Sequence, residues 1–187
     1  MGTSMFLQFL PSEKFDVVLL RDSSSNHYLN GLGDYAADFP GLVARLVKDF
    51  HSQRYARIVC YGTSMGGLPA LRCGLLLGGV RAISVSGRFP WSIGRVLDSG
   101  DRAIPAVELL CACQTSRPTD FVCVYGEQSD MDRAAVDRLA TMLPVARWPI
   151  SGVAEHNVFY ELWKRGALRS LYNDLFACDQ PSANRVI

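Results

Sequence analysis

Short apolar runs alternate with helical patterns along this chain. The runs predict strands at residues 15–21, 57–61, 81–86, 120–125 and 145–150. An unbroken apolar run, such as residues 17–20, is typical of a strand covered on both faces. Strands that alternate with helices form βαβ units and a parallel sheet. The sequence therefore predicts an α/β fold, a three-layer doubly wound structure with a mostly parallel sheet of about five strands.

Apolar residues spaced three and four apart predict the helices between these strands. The clearest stripe contains Phe39, Leu42, Val43, Leu46, Val47 and Phe50. Further helices are predicted at 68–77, 103–113, 134–143, 158–164 and 167–176. Residues 87–100 are expected to form a loop with one helical turn, and residues 5–10 fit either a helix or an edge strand. The 187 residues are expected to form one domain, in which 1–14 are a truncated or atypical N-terminus.

Composition excludes several classes of protein. The formal net charge is +1, from 19 Lys and Arg against 18 Asp and Glu, which argues against a nucleic-acid or anionic-membrane partner. The sequence contains no apolar stretch long enough for a membrane span and no secretory signal, so a cytoplasmic location is expected. The six cysteines are interpreted as reduced thiols, most of them used as small core residues, with no metal and no cofactor.

The strongest motif is Gly62-Thr63-Ser64-Met65-Gly66-Gly67, which contains the pattern G-x-S-x-G. It follows a predicted strand and opens a predicted helix, which is the setting of a nucleophile elbow. A sharp turn of this kind lifts the hydroxyl of Ser64 clear of the sheet, and the glycines let the turn close. We therefore expect Ser64 to be a nucleophile.

Chain order indicates the residues that would serve Ser64. In such folds the acid follows a later strand and the histidine follows the last one. His156 is the histidine in that position, and we expect it to be the general base. Three acidic residues follow the fourth predicted strand. We choose Asp130 as the acid, keep Asp132 as the alternative, and place Glu127 third, because Ser129 and Asp132 resemble a helix capping box.

The remaining site predictions concern the oxyanion and the substrate. The backbone N–H of Met65, which follows the nucleophile, is expected to donate to the oxyanion. A second donor is not evident from the sequence, although residues 2–4 are a candidate remnant of its loop. In the polar loop 22–33, Asn26, His27 and Tyr28 are expected to bind a polar substrate or simply to stabilise the loop.

Over about residues 15–177 the chain resembles the α/β-hydrolase superfamily. The matching positions are the elbow at Gly62–Gly67, with Asp130 as acid and His156 as base. A narrower resemblance, carried by Leu20-Arg21-Asp22, Tyr28 and Gly31, is to small bacterial hydrolase-like domains often found near glycan-processing enzymes. The chain departs from the superfamily in having fewer strands before the elbow, so its predicted core is an abbreviated one.

These observations favour a serine hydrolase that cleaves a carboxylic ester or thioester of a small molecule or glycan through an acyl-enzyme intermediate. A second hypothesis is a weakly active or inactive hydrolase-like module that binds a glycan or a protein. A third is a nucleotide- or phosphate-binding domain, although the turn has neither the G-x-G-x-x-G spacing nor a P-loop lysine.

Overall fold

Four parallel strands form the main sheet of the protein. The computed structural model describes residues 7–10, 14–89, 95–97, 103–111 and 119–177. The strands in these ranges are β1 (Val59–Thr63), β2 (Arg81–Val85), β3 (Arg95–Leu97), β4 (Ala103–Pro105), β5 (Asp120–Gly126) and β6 (Val145–Ile150). The main sheet has the order β1-β2-β5-β6 and is parallel throughout, whereas β3 and β4 form a separate antiparallel hairpin.

Helices cover both faces of the main sheet. They are α1 (Phe39–Asp49), α2 (Gly67–Leu77), α3 (Ala106–Cys111), α4 (Asp130–Leu139), α5 (Val158–Lys164) and α6 (Leu168–Phe176). Residues of α1, α2 and α4 share one buried apolar cluster, and residues of α5 and α6 share the other. The coarse prediction of an α/β fold with a mostly parallel sheet is therefore confirmed. No helix in the described ranges is long and apolar enough to cross a membrane.

Successive side chains of the central strand β5 enter opposite clusters. Phe121 and Cys123 belong to the cluster with α1, α2 and α4, and Val122 and Val124 to the cluster with α5 and α6. Because side chains alternate across a strand, a strand covered on both faces must be apolar at every position. This requirement explains why β5 appears in the sequence as an unbroken apolar run.

Three cysteines are described with free thiols, namely Cys60, Cys73 and Cys123. Burial raises the pKa of the Cys123 thiol to about 12, so this group stays protonated near neutral pH and acts as a small packing residue. Residues 113 and 178 lie outside the described residues.

The strand predicted at residues 15–21 is absent from the sheet, which corrects the expected count of about five strands. This segment has no strand assignment, and Val17, Val18, Leu19 and Leu20 are 41%, 43%, 54% and 38% exposed. Its start is held by Phe15, whose ring meets Phe176 edge to face, and by Asp16, which accepts a hydrogen bond from the Tyr55 hydroxyl. The apolar run therefore lies on the surface.

Other differences are local. The first sheet strand begins at Val59, two residues later than predicted. The helix predicted at 103–113 is preceded by β4 and starts at Ala106, and the predicted loop 87–100 contains β3. Within 5–10, the described residues 7–10 form a turn in which the Leu10 N–H donates to the Leu7 carbonyl.

Candidate active site

Ser64 occupies a strained turn at the carboxyl end of β1. Its φ is +48°, in the left-handed region that non-glycine residues rarely adopt. The turn continues as a 3-10 segment, Ser64–Gly66, which leads directly into α2. A serine kept at such a φ has its conformation imposed by the surrounding structure, which is a common property of functional sites. The strand–turn–helix setting predicted from the motif is present.

The glycines of the motif are not equivalent. A Cβ at Gly62 would lie 1.9 Å from the Gly66 carbonyl oxygen, and a Cβ at Gly67 would lie 2.4 Å from the Ser84 Oγ. By contrast, a Cβ at Gly66 would meet no atom within 4 Å. The close approach of neighbouring atoms therefore requires glycine at 62 and 67. Gly66, the second glycine of G-x-S-x-G, has open space where a side chain would be.

Three side chains form a continuous hydrogen-bonded series at this end of the sheet. Ser64 Oγ lies 3.1 Å from His156 Nε2, and His156 Nδ1 lies 3.0 Å from Asp132 Oδ1. An ionised carboxylate only accepts hydrogen bonds, so Nδ1–H donates to Asp132 and Nε2 is left to accept from the Ser64 hydroxyl. The Asp132 side chain is 5% exposed, whereas that of His156 is 33% exposed. The series therefore runs from a buried carboxylate, through a partly exposed imidazole, to the hydroxyl of the half-buried Ser64.

The acidic residue at His156 is Asp132, not Asp130. Asp130 is the first residue of α4, its side chain is 88% exposed, and its carboxylate pairs with Arg133 at 2.6 Å. Two residues along a helix correspond to a rotation of about 200°, so the side chains of Asp130 and Asp132 leave opposite faces of α4. The choice of Asp130 as the group that orients the imidazole is corrected accordingly.

The structure shows only half of the capping box that the sequence predicts at Ser129 and Asp132. Ser129 Oγ accepts from the Asp132 N–H at 3.4 Å, as expected for the N-cap of α4. In a full box the Asp132 carboxylate would bind the Ser129 N–H. That N–H instead donates to the Gly126 carbonyl at 3.0 Å, which leaves the carboxylate available to His156.

Glu127, the third acidic candidate, holds two loops together. Its carboxylate accepts from the Ser151 hydroxyl at 2.8 Å and from the Gly152 N–H at 3.3 Å. These contacts join the end of β5 to the loop after β6, which carries His156. Glu127 thus supports the loop of the imidazole without touching it.

The peptide between Ser64 and Met65 has a fixed orientation. The Ser64 carbonyl accepts from the N–H groups of Gly67 and, at 2.9 Å, Arg88. In a trans peptide the C=O and N–H bonds point in opposite directions, so the Met65 N–H is directed away from these two donors. Residues 2–4, the candidate remnant of a second donor loop, lie outside the described residues.

The polar loop 22–33 uses many of its polar atoms internally. The Asp22 carboxylate accepts from the N–H groups of Ser24 and Tyr28, both at 3.0 Å, and Asn26 Oδ1 accepts from the Leu29 N–H. The Tyr28 ring packs near Phe39. Of the three residues expected to bind substrate, Asn26 and Tyr28 therefore make contacts that stabilise the loop itself.

His27 connects this loop to the elbow. It is 5% exposed, and its Nδ1–H donates to the Met65 carbonyl at 3.1 Å. The guanidinium of the buried Arg72, in α2, donates to the His27 carbonyl at 3.3 Å. Burial lowers the pKa of His27, and the positive charges of Arg72 and Arg88 add to this effect, while the Met65 carbonyl and Asp22 oppose it. The sequence indicated a loop histidine but not this anchoring role.

We expect His27 to make the protein less stable in mild acid. The unfolded chain takes up a proton near the ordinary histidine pKa of about 6.5, whereas the folded chain resists it to lower pH. The free energy of unfolding should therefore fall as the pH drops through this value. Urea unfolding at pH 7.5 and pH 5.5 measures this change in the free energy of unfolding. The substitution His27→Asn should make the change smaller, and asparagine tolerates the left-handed φ of this position.

His51→Asn is the matched control for that measurement. His51 also has a positive φ, +48° against +60° for His27, but it is exposed. Asparagine at this position must adopt the same left-handed backbone conformation, but the substitution removes no buried imidazole. If His27→Asn and His51→Asn had the same pH dependence as the unmodified chain, the assignment to His27 would be wrong.

Ser86 is a feature of this edge that sequence reasoning missed. It follows β2, one residue beyond the paired Thr63 and Val85, and is thus level with Ser64 on the neighbouring strand. Its φ is +45°, and its buried hydroxyl makes no hydrogen bond within the described residues. No sequence pattern distinguishes it from an ordinary strand-end serine.

The described residues contain no group of three or more His, Cys, Asp or Glu side chains placed to hold a metal ion. Comparisons with protein-family models, with curated proteins and with solved structures gave no match to this chain. A function for this protein must therefore be inferred from the geometry of the site and from the sequence motif.

Proposed function

We propose that this protein is a serine hydrolase that cleaves carboxylic esters or thioesters through an acyl-enzyme intermediate. One observation carries the proposal, namely the hydrogen-bonded series from Ser64 through His156 to the buried Asp132. A nucleophile next to a base that is itself oriented by a third group is the arrangement that nucleophilic catalysis requires. The resemblance of the elbow to that of α/β-hydrolases supports the same function.

In the first half of the proposed reaction, Ser64 Oγ attacks the substrate carbonyl carbon while His156 Nε2 takes the hydroxyl proton. Asp132 keeps the proton on Nδ1 and stabilises the imidazolium that forms. The carbonyl oxygen becomes negatively charged during this attack and accepts a hydrogen bond from the Met65 N–H. Collapse of the tetrahedral intermediate breaks the ester bond, and His156 returns its proton to the departing alcohol or thiol.

In the second half, water attacks the acyl-enzyme. His156 takes a proton from the water, and the intermediate collapses to release the carboxylic acid and regenerate the Ser64 hydroxyl. Apart from water, the proposed steps use only Ser64, His156, Asp132 and the Met65 N–H. Ester or thioester substrates fit this mechanism because their leaving groups depart readily once protonated.

Covalent labelling with a fluorophosphonate probe tests the proposal directly. Attack by Ser64 Oγ on phosphorus expels fluoride and leaves a phosphonylated serine, which intact mass spectrometry detects. We expect one adduct on the unmodified protein, none on Ser64→Ala, and little on His156→Ala, since the unassisted hydroxyl is a weak nucleophile.

Ser86→Ala is the control for this experiment. Ser86 is level with Ser64 and also has a left-handed φ. It is buried, however, and no imidazole within the described residues accepts a hydrogen bond from its hydroxyl. The Ser86→Ala variant should therefore label as the unmodified protein does. An adduct that survives Ser64→Ala, or a folded unmodified protein that never labels, would contradict the proposal and favour a binding module without turnover.

A further inference from the structure

Arg88 stands beside the nucleophile in a fixed backbone position. Its N–H donates to the Ser64 carbonyl at 2.9 Å, so the two residues are immediate neighbours across the ends of β1 and β2. The neighbouring Phe89 is 1% exposed, and a Cβ at Gly87 would lie 2.1 Å from Ser84 Oγ. Tight packing on both sides therefore fixes where the Arg88 side chain leaves the backbone.

The Arg88 side chain is exposed, and its guanidinium makes no ion pair or hydrogen bond within the described part of the chain. Its positive charge adds to the effect of burial in lowering the pKa of His27, in loop 22–33. Arg72 and Asp22 also act on His27 from α2 and from the loop. Arg88 is thus bonded to the elbow through its backbone, and its charge acts on this loop.

Four acidic groups at this end of the sheet already have partners, whereas Glu155, beside His156, is exposed. Asp132 binds His156, Asp130 pairs with Arg133, and Asp22 binds backbone N–H groups of its loop. Glu127 binds the loop after β6. The whole chain carries a formal charge of only +1, so it has no general attraction for anions. An attraction for anions at this site would have to be local.

We propose that Arg88 is a specificity-determining residue that binds an oxyanion group of the substrate, so that the preferred ester carries a negative charge beyond its reacting carbonyl. This inference rests on the proposed hydrolase function. A guanidinium is always charged near neutral pH and offers paired N–H donors that match a carboxylate or a phosphate. The Arg88 side chain is long enough to reach past the ester group while its backbone stays bound to Ser64.

Two esters of equal acyl chain length test the proposal. The 4-nitrophenyl monoester of glutarate carries a terminal carboxylate where 4-nitrophenyl pentanoate carries a methyl group. We expect the unmodified protein to have a kcat/KM about tenfold higher for the glutarate ester, the scale of a charge-assisted hydrogen bond. Arg88→Gln should bring the ratio of the two kcat/KM values close to one, because the amide carries no charge.

Two further variants separate the charge from the side-chain shape. Arg88→Lys should keep part of the preference, because it retains the charge but loses the paired donors. Arg54→Gln removes an exposed arginine from the 3-10 segment Ser52–Arg54, before β1, and should keep the full preference. Free glutarate and inorganic phosphate, used as competitive inhibitors of pentanoate hydrolysis, show which oxyanion is favoured.

The outcomes distinguish this inference from the proposed function. Equal preference in the unmodified protein and Arg88→Gln, with pentanoate still hydrolysed, would overturn the role of Arg88 and leave the hydrolase intact. Failure to hydrolyse either ester and failure to label with fluorophosphonate would overturn the hydrolase and, with it, the inference. A preference that persists unchanged at 1 M salt would also contradict an ionic contact.

Discussion

Asp132→Asn is expected to reduce kcat/KM for 4-nitrophenyl pentanoate by about 10³- to 10⁴-fold, the scale found when a triad carboxylate becomes an amide. The Asn side chain fits the same space, but it neither stabilises the imidazolium nor enforces a proton on His156 Nδ1. Asp130→Asn should change the rate by less than about twofold, because its exposed carboxylate contacts Arg133 rather than the imidazole. Steady-state kinetics on the two variants make the measurement.

The two variants are closely matched. Both remove one negative charge from the first turn of α4, where the helix dipole favours acidic residues, so their effects through the helix are similar. Thermal unfolding of each variant reports any loss of fold. A large loss of activity in Asp130→Asn, with Asp132→Asn unaffected, would indicate Asp130 as the acid. It would contradict the role proposed for Asp132 beside His156.

Gly62→Ala is expected to destabilise the fold by about 1–3 kcal/mol and to abolish fluorophosphonate labelling. The new Cβ would lie 1.9 Å from the Gly66 carbonyl oxygen, a backbone atom that can move only if the turn opens. Opening the turn would displace Ser64 from His156. Urea unfolding and labelling rate measure the two effects separately.

Gly66→Ala is the matched control within the same motif. Its Cβ would meet nothing within 4 Å, and Gly66 already has the helical φ of −74°. We expect a change in stability of less than about 1 kcal/mol and a labelling rate close to that of the unmodified protein. Equal damage from both substitutions would mean that the turn needs glycine at 66 for a reason other than space.

Sequence reasoning predicted the sheet well where strands are covered on both faces. The runs that became β2 and β5 are buried at nearly every position and are separated by a long enough crossover to specify parallel strands, whereas β6, at the edge, is buried only at alternate positions. The run at 17–20 has the same apolar character, but its side chains lie 38–54% exposed outside the sheet. Apolar character identifies a segment that can be buried; whether a neighbouring strand binds it depends on distant parts of the chain.

The site was predictable in the parts that chain order determines. Ser64 follows from its motif, and His156 from its place after the last strand. The acid depends on which face of α4 it occupies, and helical periodicity in the sequence carries a signal for that face. Asp132 falls at helical spacing with Ala135, Val136 and Leu139, which are all buried, whereas Asp130 falls on the opposite, exposed face. Periodicity was a better guide than distance from the strand end.

The order β1-β2-β5-β6 has a consequence for how this protein would lose the proposed hydrolase activity. Ser64 follows one outer strand of the described sheet and His156 follows the other, so the pair is joined only while all four strands stay in register. Outer strands have one hydrogen-bonded neighbour and detach more readily in partial opening than central ones. Detachment of β1 alone would carry Ser64 away from His156 while most of the core remained packed. Heat inactivation can therefore precede global melting, and a sample can retain its secondary structure after its hydroxyl has ceased to react.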